Sequence, residues 1–268
     1  MKFLLLNTNQ SLETPHMAFS VNVAKRTLSS VTVFVVSKDA MPTEEVKEFV
    51  AGIEKRFSGV PHEVKFAVGD PPELIIQEIE DGDYDIVLMG LRQRRRVVPS
   101  AYRLLSQKII RQSPIPVMLV RDADLKLERL LICTGGQDIS EPVVKLSTNL
   151  AEKAGLKATL LYVAGAVPSM YTGMDEIEET LDALLETDTP LANHLRTSAE
   201  TLAENKVEAQ VELRRGDVAE SILLEAEEGD YDLIVLGISG ASTLAGMLLG
   251  NVTQQIINRA CCAVLIVK

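Results

Sequence analysis

Short apolar runs alternate along the chain with stripes of apolar residues at helical spacing. In the first half the runs are rich in β-branched residues, and few polar residues interrupt them. They lie at Leu4–Asn7, Val31–Val36, Glu63–Val68, Asp85–Met89 and Val117–Val120. Such runs are typical of strands covered on both faces of a parallel sheet. The pattern predicts an α/β fold with five strands in this half.

The segments between the strands carry the helical stripes. One stripe places five apolar residues on the same face of a predicted helix: Val46, Phe49, Val50, Ile53 and Phe57. Thr43 stands where a side chain would cap the first turn of that helix. In the second half, Leu191, Leu195 and Leu202 predict an equivalent helix.

The second half of the chain repeats the first. Residues 69–90 and 216–237 align without gaps, and 11 of 22 positions are identical. At the same spacing, Ser113–Arg121 aligns with Ala260–Lys268, whereas about 20 additional residues lie between Val163 and Gly216. The repeat predicts two tandem doubly wound domains, residues 1–122 and 127–268, each with a five-stranded parallel sheet.

We expect the two copies to be related by approximate two-fold symmetry. Their last strands, Val117–Val120 and Val264–Val267, are apolar edges that would invite aggregation if they were left unpaired. Pairing these strands would make the chain an intramolecular pseudo-dimer. A homodimer of the whole chain is compatible with the same sequence.

A glycine spacing in the second copy carries the most specific information. Gly237-x-x-Gly240 is followed after nine residues by Gly250. With its surroundings, Gly229–Val267, this spacing resembles the C-terminal motif of the universal stress protein family. Residues Leu130–Val163 resemble the first strand, helix and second strand of that family, and the resemblance extends over nearly the whole chain in two copies. It implies a doubly wound fold with a nucleotide phosphate loop at these glycines.

The glycine spacing also has a physical explanation. It follows an apolar strand at the carboxyl edge of a parallel sheet, where doubly wound folds bind ligands. Gly237 and Gly240 allow backbone N–H groups to approach an anion, and Gly250 precedes a helix whose N-terminus favours phosphate. The resemblance implies that these glycines and Asn251 hold the phosphates of ATP and that the Val163 backbone contacts the base. Mg²⁺ is expected only with the nucleotide. Alternatively, the glycines merely end a strand and form a turn.

Two differences separate the copies from nucleotide-binding members of that family. The Asp that ends the first strand in those relatives is replaced by Gly135 in the second copy and by Asn9 in the first. The first copy also lacks the glycine spacing, with Gln93, Arg103 and Leu104 at the last three loop positions. An Arg at a loop glycine would fill the phosphate position. We therefore predict ATP binding in the second copy only.

Composition and charge exclude several classes of protein. A chain with 46% hydrophobic and 24% charged residues is ordinary for a globular protein. The net charge of −11, all of it in residues 126–268, argues against nucleic-acid binding. The apolar stretches are far shorter than the ~20 residues of a membrane span. The N-terminus carries no apparent signal peptide, so we expect a cytoplasmic protein without a membrane partner.

Opposite charges concentrate in two segments. Seven basic residues without an acidic one follow Gly90: Arg92, Arg94, Arg95, Arg96, Arg103, Lys108 and Arg111. Seven acidic residues without a basic one occupy the second copy, mostly within its additional residues: Asp175, Glu176, Glu178, Glu179, Asp182, Glu186 and Asp188. Three interpretations remain: two solvated faces, docking of one segment on the other within the chain or across a dimer, or an external anionic ligand or protein partner on the basic segment.

The sequence offers little catalytic chemistry. Cys133, Cys261 and Cys262 match neither a disulfide framework nor a zinc site. We expect buried free thiols, with Cys261 and Cys262 packed in the core rather than acting as a redox pair. No metal-ligand spacing surrounds the histidines, His16, His62 and His194. The motifs of serine hydrolases, P-loop ATPases and Rossmann dehydrogenases are absent.

These features predict a tandem universal stress protein that acts as a ligand-responsive binding or regulatory module. Because no general base is evident, we do not expect an enzyme. Two alternatives stay open. The chain is a scaffold that has lost nucleotide binding and acts through protein contacts, or it is a weak ATPase.

Overall fold

Strands and helices alternate along the chain. The computed structural model describes residues 1–8, 12, 14–91, 100–121, 126–135, 140–165, 180–238 and 251–268. The strands are β1 (Lys2–Asn7), β2 (Ser30–Ser37), β3 (His62–Val68), β4 (Ile86–Gly90), β5 (Val117–Val120), β6 (Arg129–Thr134), β7 (Lys157–Ala164), β8 (Ala209–Arg215), β9 (Leu233–Gly237) and β10 (Ala263–Val267). The helices are α1 (Pro15–Thr27), α2 (Thr43–Arg56), α3 (Pro71–Asp81), α4 (Ser100–Gln112), α5 (Ser140–Ala154), α6 (Leu181–Glu186), α7 (Pro190–Glu204), α8 (Val218–Glu228) and α9 (Asn251–Arg259).

The strands form one ten-stranded sheet. Its order is β3-β2-β1-β4-β5-β10-β9-β6-β7-β8. Within each group of five the neighbours are parallel, whereas β5 and β10 pair antiparallel. Read inward from either outer edge of the sheet, each copy contributes its third, second, first, fourth and fifth strand in that order. The predicted α/β fold with two parallel five-stranded sheets is confirmed.

Equivalent residues of the two copies meet at the centre of the sheet. Met118 of β5 lies opposite Leu265 of β10, and these residues are equivalent in the sequence repeat. Gln107 Nε2 donates a hydrogen bond of 3.1 Å to Oε1 of Gln254, its own equivalent. Contacts between equivalent residues are expected close to a two-fold axis. The predicted pairing of the two last strands is therefore confirmed.

The helices begin at residues that differ in part from those expected. Thr43 is the first helical residue of α2 and Pro42 precedes it, with no side-chain capping hydrogen bond. The expected Thr43 cap is therefore wrong, because its hydroxyl lies past the position from which a side chain reaches the free N–H groups. Asp217 caps α8, because its Oδ1 accepts a hydrogen bond of 3.0 Å from the Glu220 N–H. Among the described ranges, no helix is long and apolar enough to cross a membrane.

The core lies on both faces of the sheet. Alternate strand residues enter opposite hydrophobic clusters: Leu5 belongs to one, whereas Leu4 and Leu6 belong to the other. Each cluster contains residues of both copies, because the sheet is continuous across β5 and β10. Full burial of one such side chain contributes about 1.5–3 kcal/mol. The two copies therefore share their hydrophobic core.

A tyrosine, an acid and a base form a similar network in each copy. In the first copy Glu78 accepts hydrogen bonds from Lys65 Nζ at 2.7 Å and from the Tyr84 hydroxyl at 2.5 Å. The hydrogen bond to Glu78 raises the pKa of Lys65. The corresponding network of the second copy consists of Arg214, Glu225 and Tyr231. The two copies are therefore alike in this hydrogen-bonded network, which lies away from the carboxyl edge of the sheet.

Candidate functional site

The carboxyl end of β6 is the point where the strand order of the second copy reverses. β6 lies between β9 on one side and β7 on the other. In an open α/β sheet this switch point leaves a crevice outside the carboxyl ends of the strands. The sequence predicted a ligand at this edge, and the topology places the expected residues of two strands around it.

Gly237 and Val163 flank the end of β6. Cys133 of β6 lies beside Leu236, so the next step of that ladder places Thr134 beside Gly237. On the other side Thr134 lies beside Tyr162, so the next step places Gly135 beside Val163. Gly237 and Val163 are both half-buried. The two residues therefore lie on either side of the β6 end, and their phosphate and base contacts stay predictions.

Asn251 is the first residue of α9, the helix that follows β9. Its side chain is exposed, and its Oδ1 accepts a hydrogen bond of 3.3 Å from Gln255 Nε2. Thr253, two residues further along the chain, is 5% exposed. Gly240 and Gly250 lie outside the described residues. The described part of the predicted loop therefore consists of Gly237 and Ile238 at one end and Asn251 at the other.

Gly135 follows β6 and is exposed. Among the residues that the structure describes, a Cβ placed on it would meet no atom within 4 Å, and its φ lies outside the left-handed region. An L-amino acid fits this backbone without strain. Position 135 therefore has room for a Cβ among the described residues.

His194 is a residue of this edge that the sequence did not indicate. It lies on α7, and its Nε2 is 2.7 Å from the Thr134 hydroxyl at the end of β6. Burial lowers the pKa of His194, so the neutral ring is favoured. The contact joins residues 60 positions apart, and no local pattern predicts it. In the described part of the chain no three or more His, Cys, Asp and Glu side chains gather as metal ligands.

The same edge of the first copy is filled differently. The His16 ring lies against Gly90, the last residue of β4, where it occupies the place that a Cβ of residue 90 would take. His16 is 7% exposed, and its Nε2 is 3.4 Å from the Thr14 hydroxyl. Leu104, at the position of Asn251, is exposed. Asn9 and Gln93 lie outside the described residues, as does the side chain of Arg103.

Most of the two charged segments lies outside the described residues, including Arg92–Arg96 and Asp175–Glu179. The described end of the acidic segment is held by α7. Arg196 Nη1 donates a hydrogen bond of 2.9 Å to the Thr187 carbonyl and also contacts the Leu185 carbonyl. Asp188 accepts a hydrogen bond of 3.1 Å from Asn193 Nδ2. The docking hypothesis stays a prediction.

The cysteines differ from the expectation at one position. Cys133 is partly buried and Cys262 is buried, whereas Cys261 is exposed, and none forms a disulfide. The expectation that both adjacent thiols are buried is therefore wrong for Cys261. Side chains of successive residues leading into a strand point to opposite sides, so one of the two turns outward.

Comparison with known proteins establishes the class of this α/β protein. The model of the Universal stress protein family matches residues 12–121 and again residues 126–268. The chain belongs to the universal stress protein family, as a tandem of two copies. The resemblance stated from the glycine spacing is confirmed.

Relatives and solved structures agree with this assignment. The chain is 25% identical to Universal stress protein E of Escherichia coli K12 over 221 residues, 79% of this chain and 69% of that protein. It is also 25% identical to a Universal stress protein E homolog of Haemophilus influenzae over 205 residues, 73% of this chain and 66% of that protein. A universal stress protein from Archaeoglobus fulgidus has a similar fold, with a TM-score of 0.70, 19% identity and coverage of 100% of this chain and 98% of the other.

Proposed function

We propose that the chain, divided into domains 1–122 and 127–268, binds an adenine nucleotide such as ATP in its second domain and thereby acts as a ligand-responsive regulatory module. The observation that carries the proposal is the position of Gly237 and Val163 on either side of the β6 end. Gly240, Gly250 and Asn251 complete the phosphate loop. Mg²⁺ enters only together with the phosphates.

The contrast between the copies supports binding at one site. In the second copy, Gly135 leaves open space beside the crevice. In the first copy, the His16 ring lies against Gly90. A ligand at the first edge would have to displace a buried ring, whereas no described side chain stands within 4 Å of the Cβ position at residue 135.

Calorimetric titration of the full chain with ATP and ADP tests the proposal. We expect one site per chain. Gly240→Arg and Gly250→Arg are expected to abolish the heat of binding, because each places a long cationic side chain in the phosphate loop. Leu104→Arg, a change at an exposed residue of the first copy, is the matched control and should leave binding unchanged. No heat and no thermal shift at millimolar nucleotide would overturn the proposal.

The absence of an acidic residue at position 135 favours a second candidate, a scaffold that acts through protein contacts without a nucleotide. Gly135→Asp separates the two functions. If the crevice holds a nucleotide, the added carboxylate can accept hydrogen bonds from it, and affinity should rise about tenfold. Gly135→Ala is the control without the carboxylate. A scaffold gains no affinity from either change and is purified without bound nucleotide, which absorbance of the base would reveal.

A further inference from the structure

β3 is the outer strand of the sheet in the first copy, and among the described strands it pairs with β2 alone. The Pro61 carbonyl accepts a hydrogen bond from the Val31 N–H, and the Gly69 N–H donates one to the Ser37 carbonyl, both at 2.9 Å. Backbone groups of successive residues point to opposite sides of a strand, so the odd-numbered residues of β3 face β2. The N–H and C=O groups of its even-numbered residues therefore point outward.

The residues with outward backbone groups are apolar or aromatic: His62, Val64, Phe66 and Val68. Phe66 is 38% exposed and Val68 is 56% exposed, and the other exposed large apolar side chains of the described ranges lie outside the strands. The Phe66 ring contacts Phe49 of α2 edge to face, with 6.1 Å between the ring centroids. An apolar edge strand with outward backbone groups is a template for pairing with another strand.

The other outer edge of the sheet, β8, differs from β3 at the equivalent positions. Its repeat equivalent of Val68 is Arg215, an exposed cation, and its equivalent of Phe66 is Leu213, which is half-buried. A charged side chain at an edge opposes pairing with a further strand. The apolar edge therefore belongs to the first copy.

The charges of β3 select one alignment with a second β3. Glu63 and Lys65 lie on either side of Val64, and their side chains are 51% and 42% exposed. If two antiparallel β3 strands place Val64 opposite Val64, each Glu63 faces a Lys65 of the other chain. Centring the pair on Glu63 or on Lys65 would instead set like charges opposite each other, which is unfavourable. In the Val64-centred alignment Phe66 lies opposite His62, so the strand is complementary to itself.

Lys65 can take part in this pairing while it keeps its contact within the chain. Its Nζ donates a hydrogen bond of 2.7 Å to Glu78 and lies 4.0 Å from its own Glu63. An ammonium group has three N–H donors. A carboxylate of a second chain therefore adds to the Glu78 contact and does not replace it.

We propose that β3 is a docking surface for a second copy of this chain, with the two β3 strands antiparallel and Val64 at the two-fold axis. The sheet then continues from one chain into the next, as the antiparallel β5–β10 pair already joins the two copies within one chain. The surface is separate from the end of β6, because seven strands lie between β3 and β6 in the sheet. Dimer formation and nucleotide binding are therefore independent of each other.

Sedimentation of the full chain at a series of concentrations tests the proposal. We expect a dimer at about 100 μM, since a short strand pair forms a small interface. Val64→Pro removes an outward N–H that the β2–β3 ladder does not use, and it should weaken association at least about tenfold. Val211→Pro, at the repeat equivalent of Val64 on β8, is the matched control and should leave association unchanged. A wild-type monomer at this concentration, or equal weakening by both variants, would overturn the proposal.

Disulfide trapping tests the alignment and does not depend on the folding of Val64→Pro. Facing residues of a hydrogen-bonded antiparallel pair have Cα atoms about 5.5 Å apart, within disulfide range. Val64→Cys should therefore link two chains on mild oxidation. Phe66→Cys should not, because its thiols would be about 13 Å apart along the strands. Both variants carry Cys261→Ser, which removes the exposed native thiol. Mass spectrometry identifies the link, and no link at residue 64, or a faster one at residue 66, would contradict the proposal.

Discussion

The carboxyl edges of the two parallel sheets are built from equivalent strands but carry different side chains. In the first copy the His16 ring packs against Gly90, and the edge is filled from within the chain. In the second copy a Cβ at Gly135, which follows β6, would meet no atom of the described residues within 4 Å, and the Thr134 hydroxyl lies 2.7 Å from His194 Nε2. Away from this edge the copies retain the same tyrosine–acid–base network.

This difference indicates which parts of the unit are needed for folding and which are free to change. The sheet order and the core clusters extend through both copies, so they constrain both sequences alike. At the carboxyl edge the described side chains differ between the copies, although both copies have the same strand order. Because both copies have the same fold, the fold alone does not determine what each copy binds. The residues at its carboxyl edge do.

Removing a side chain from the strand pair that joins the copies should have the largest effect. Leu265 is fully buried opposite Met118. Leu265→Ala should lower the free energy of unfolding by about 2–5 kcal/mol, measured by urea unfolding. Leu28, which is 91% exposed, is the control, and Leu28→Ala should change stability by less than about 0.5 kcal/mol. Similar losses in both variants would contradict a core shared across β5 and β10.

Replacing a glycine by alanine at the carboxyl edge should change stability by different amounts in the two copies. A Cβ at Gly90 would overlap the His16 ring, whereas a Cβ at Gly135 would meet no atom of the described part of the chain within 4 Å. Gly90→Ala should therefore destabilise the protein by about 1–3 kcal/mol, and Gly135→Ala should be close to neutral. Thermal and urea unfolding of both variants measure the difference. Equal stabilities would show that His16 does not fill the first edge.

Lowering the pH should destabilise the folded protein through His194, which lies at the carboxyl edge of the second copy. Burial lowers the pKa of this residue in the folded chain. The unfolded chain therefore takes up a proton, near its ordinary pKa of about 6.5, before the folded chain does, and stability falls as the pH decreases through that range. His194→Gln should reduce this loss, measured as the change in urea midpoint between about pH 7.5 and pH 5.5. An unchanged pH dependence in the variant would contradict the burial of His194.

The smallest effect is expected from the charged segments that distinguish the copies. If the acidic segment docks on the basic one, replacing Arg94, Arg95 and Arg96 by Gln should speed proteolysis between Ser169 and Pro190. Exposed ion pairs contribute only about 0–1 kcal/mol each and are screened over ~8 Å at physiological salt. Wild-type protein in high salt should therefore show the same increase. Equal cleavage of both proteins at low and high salt would leave two independent faces or an external anion.

Local sequence pattern was sufficient to predict the strands. The five apolar runs of the first half correspond to β1–β5, and alternation along each run follows the two faces of the sheet. The internal repeat added the relation between the copies, since equivalent edge strands are natural partners. Of the site, the placement of Gly237 and Val163 at the carboxyl ends of the two strands that flank β6 was predictable, whereas their contacts with a nucleotide stay predictions.

The remaining contacts could not be predicted because they join residues far apart in the chain. His16 against Gly90 and His194 against Thr134 depend on where a helix lies across the sheet. The pairing of Met118 with Leu265 depends on the register of an antiparallel pair. Neither composition nor periodicity specifies such a register.

Binding of one nucleotide per chain, in the second copy, is most directly tested by hydrogen–deuterium exchange of the full chain with and without ATP. We predict slower exchange in two parts of the second copy, around residues 133–135 and 161–165 and from Gly237 to Thr253, with no change around Gly90 or His16. Protection in the first copy, or in neither copy at saturating ATP, would contradict the assignment of the site.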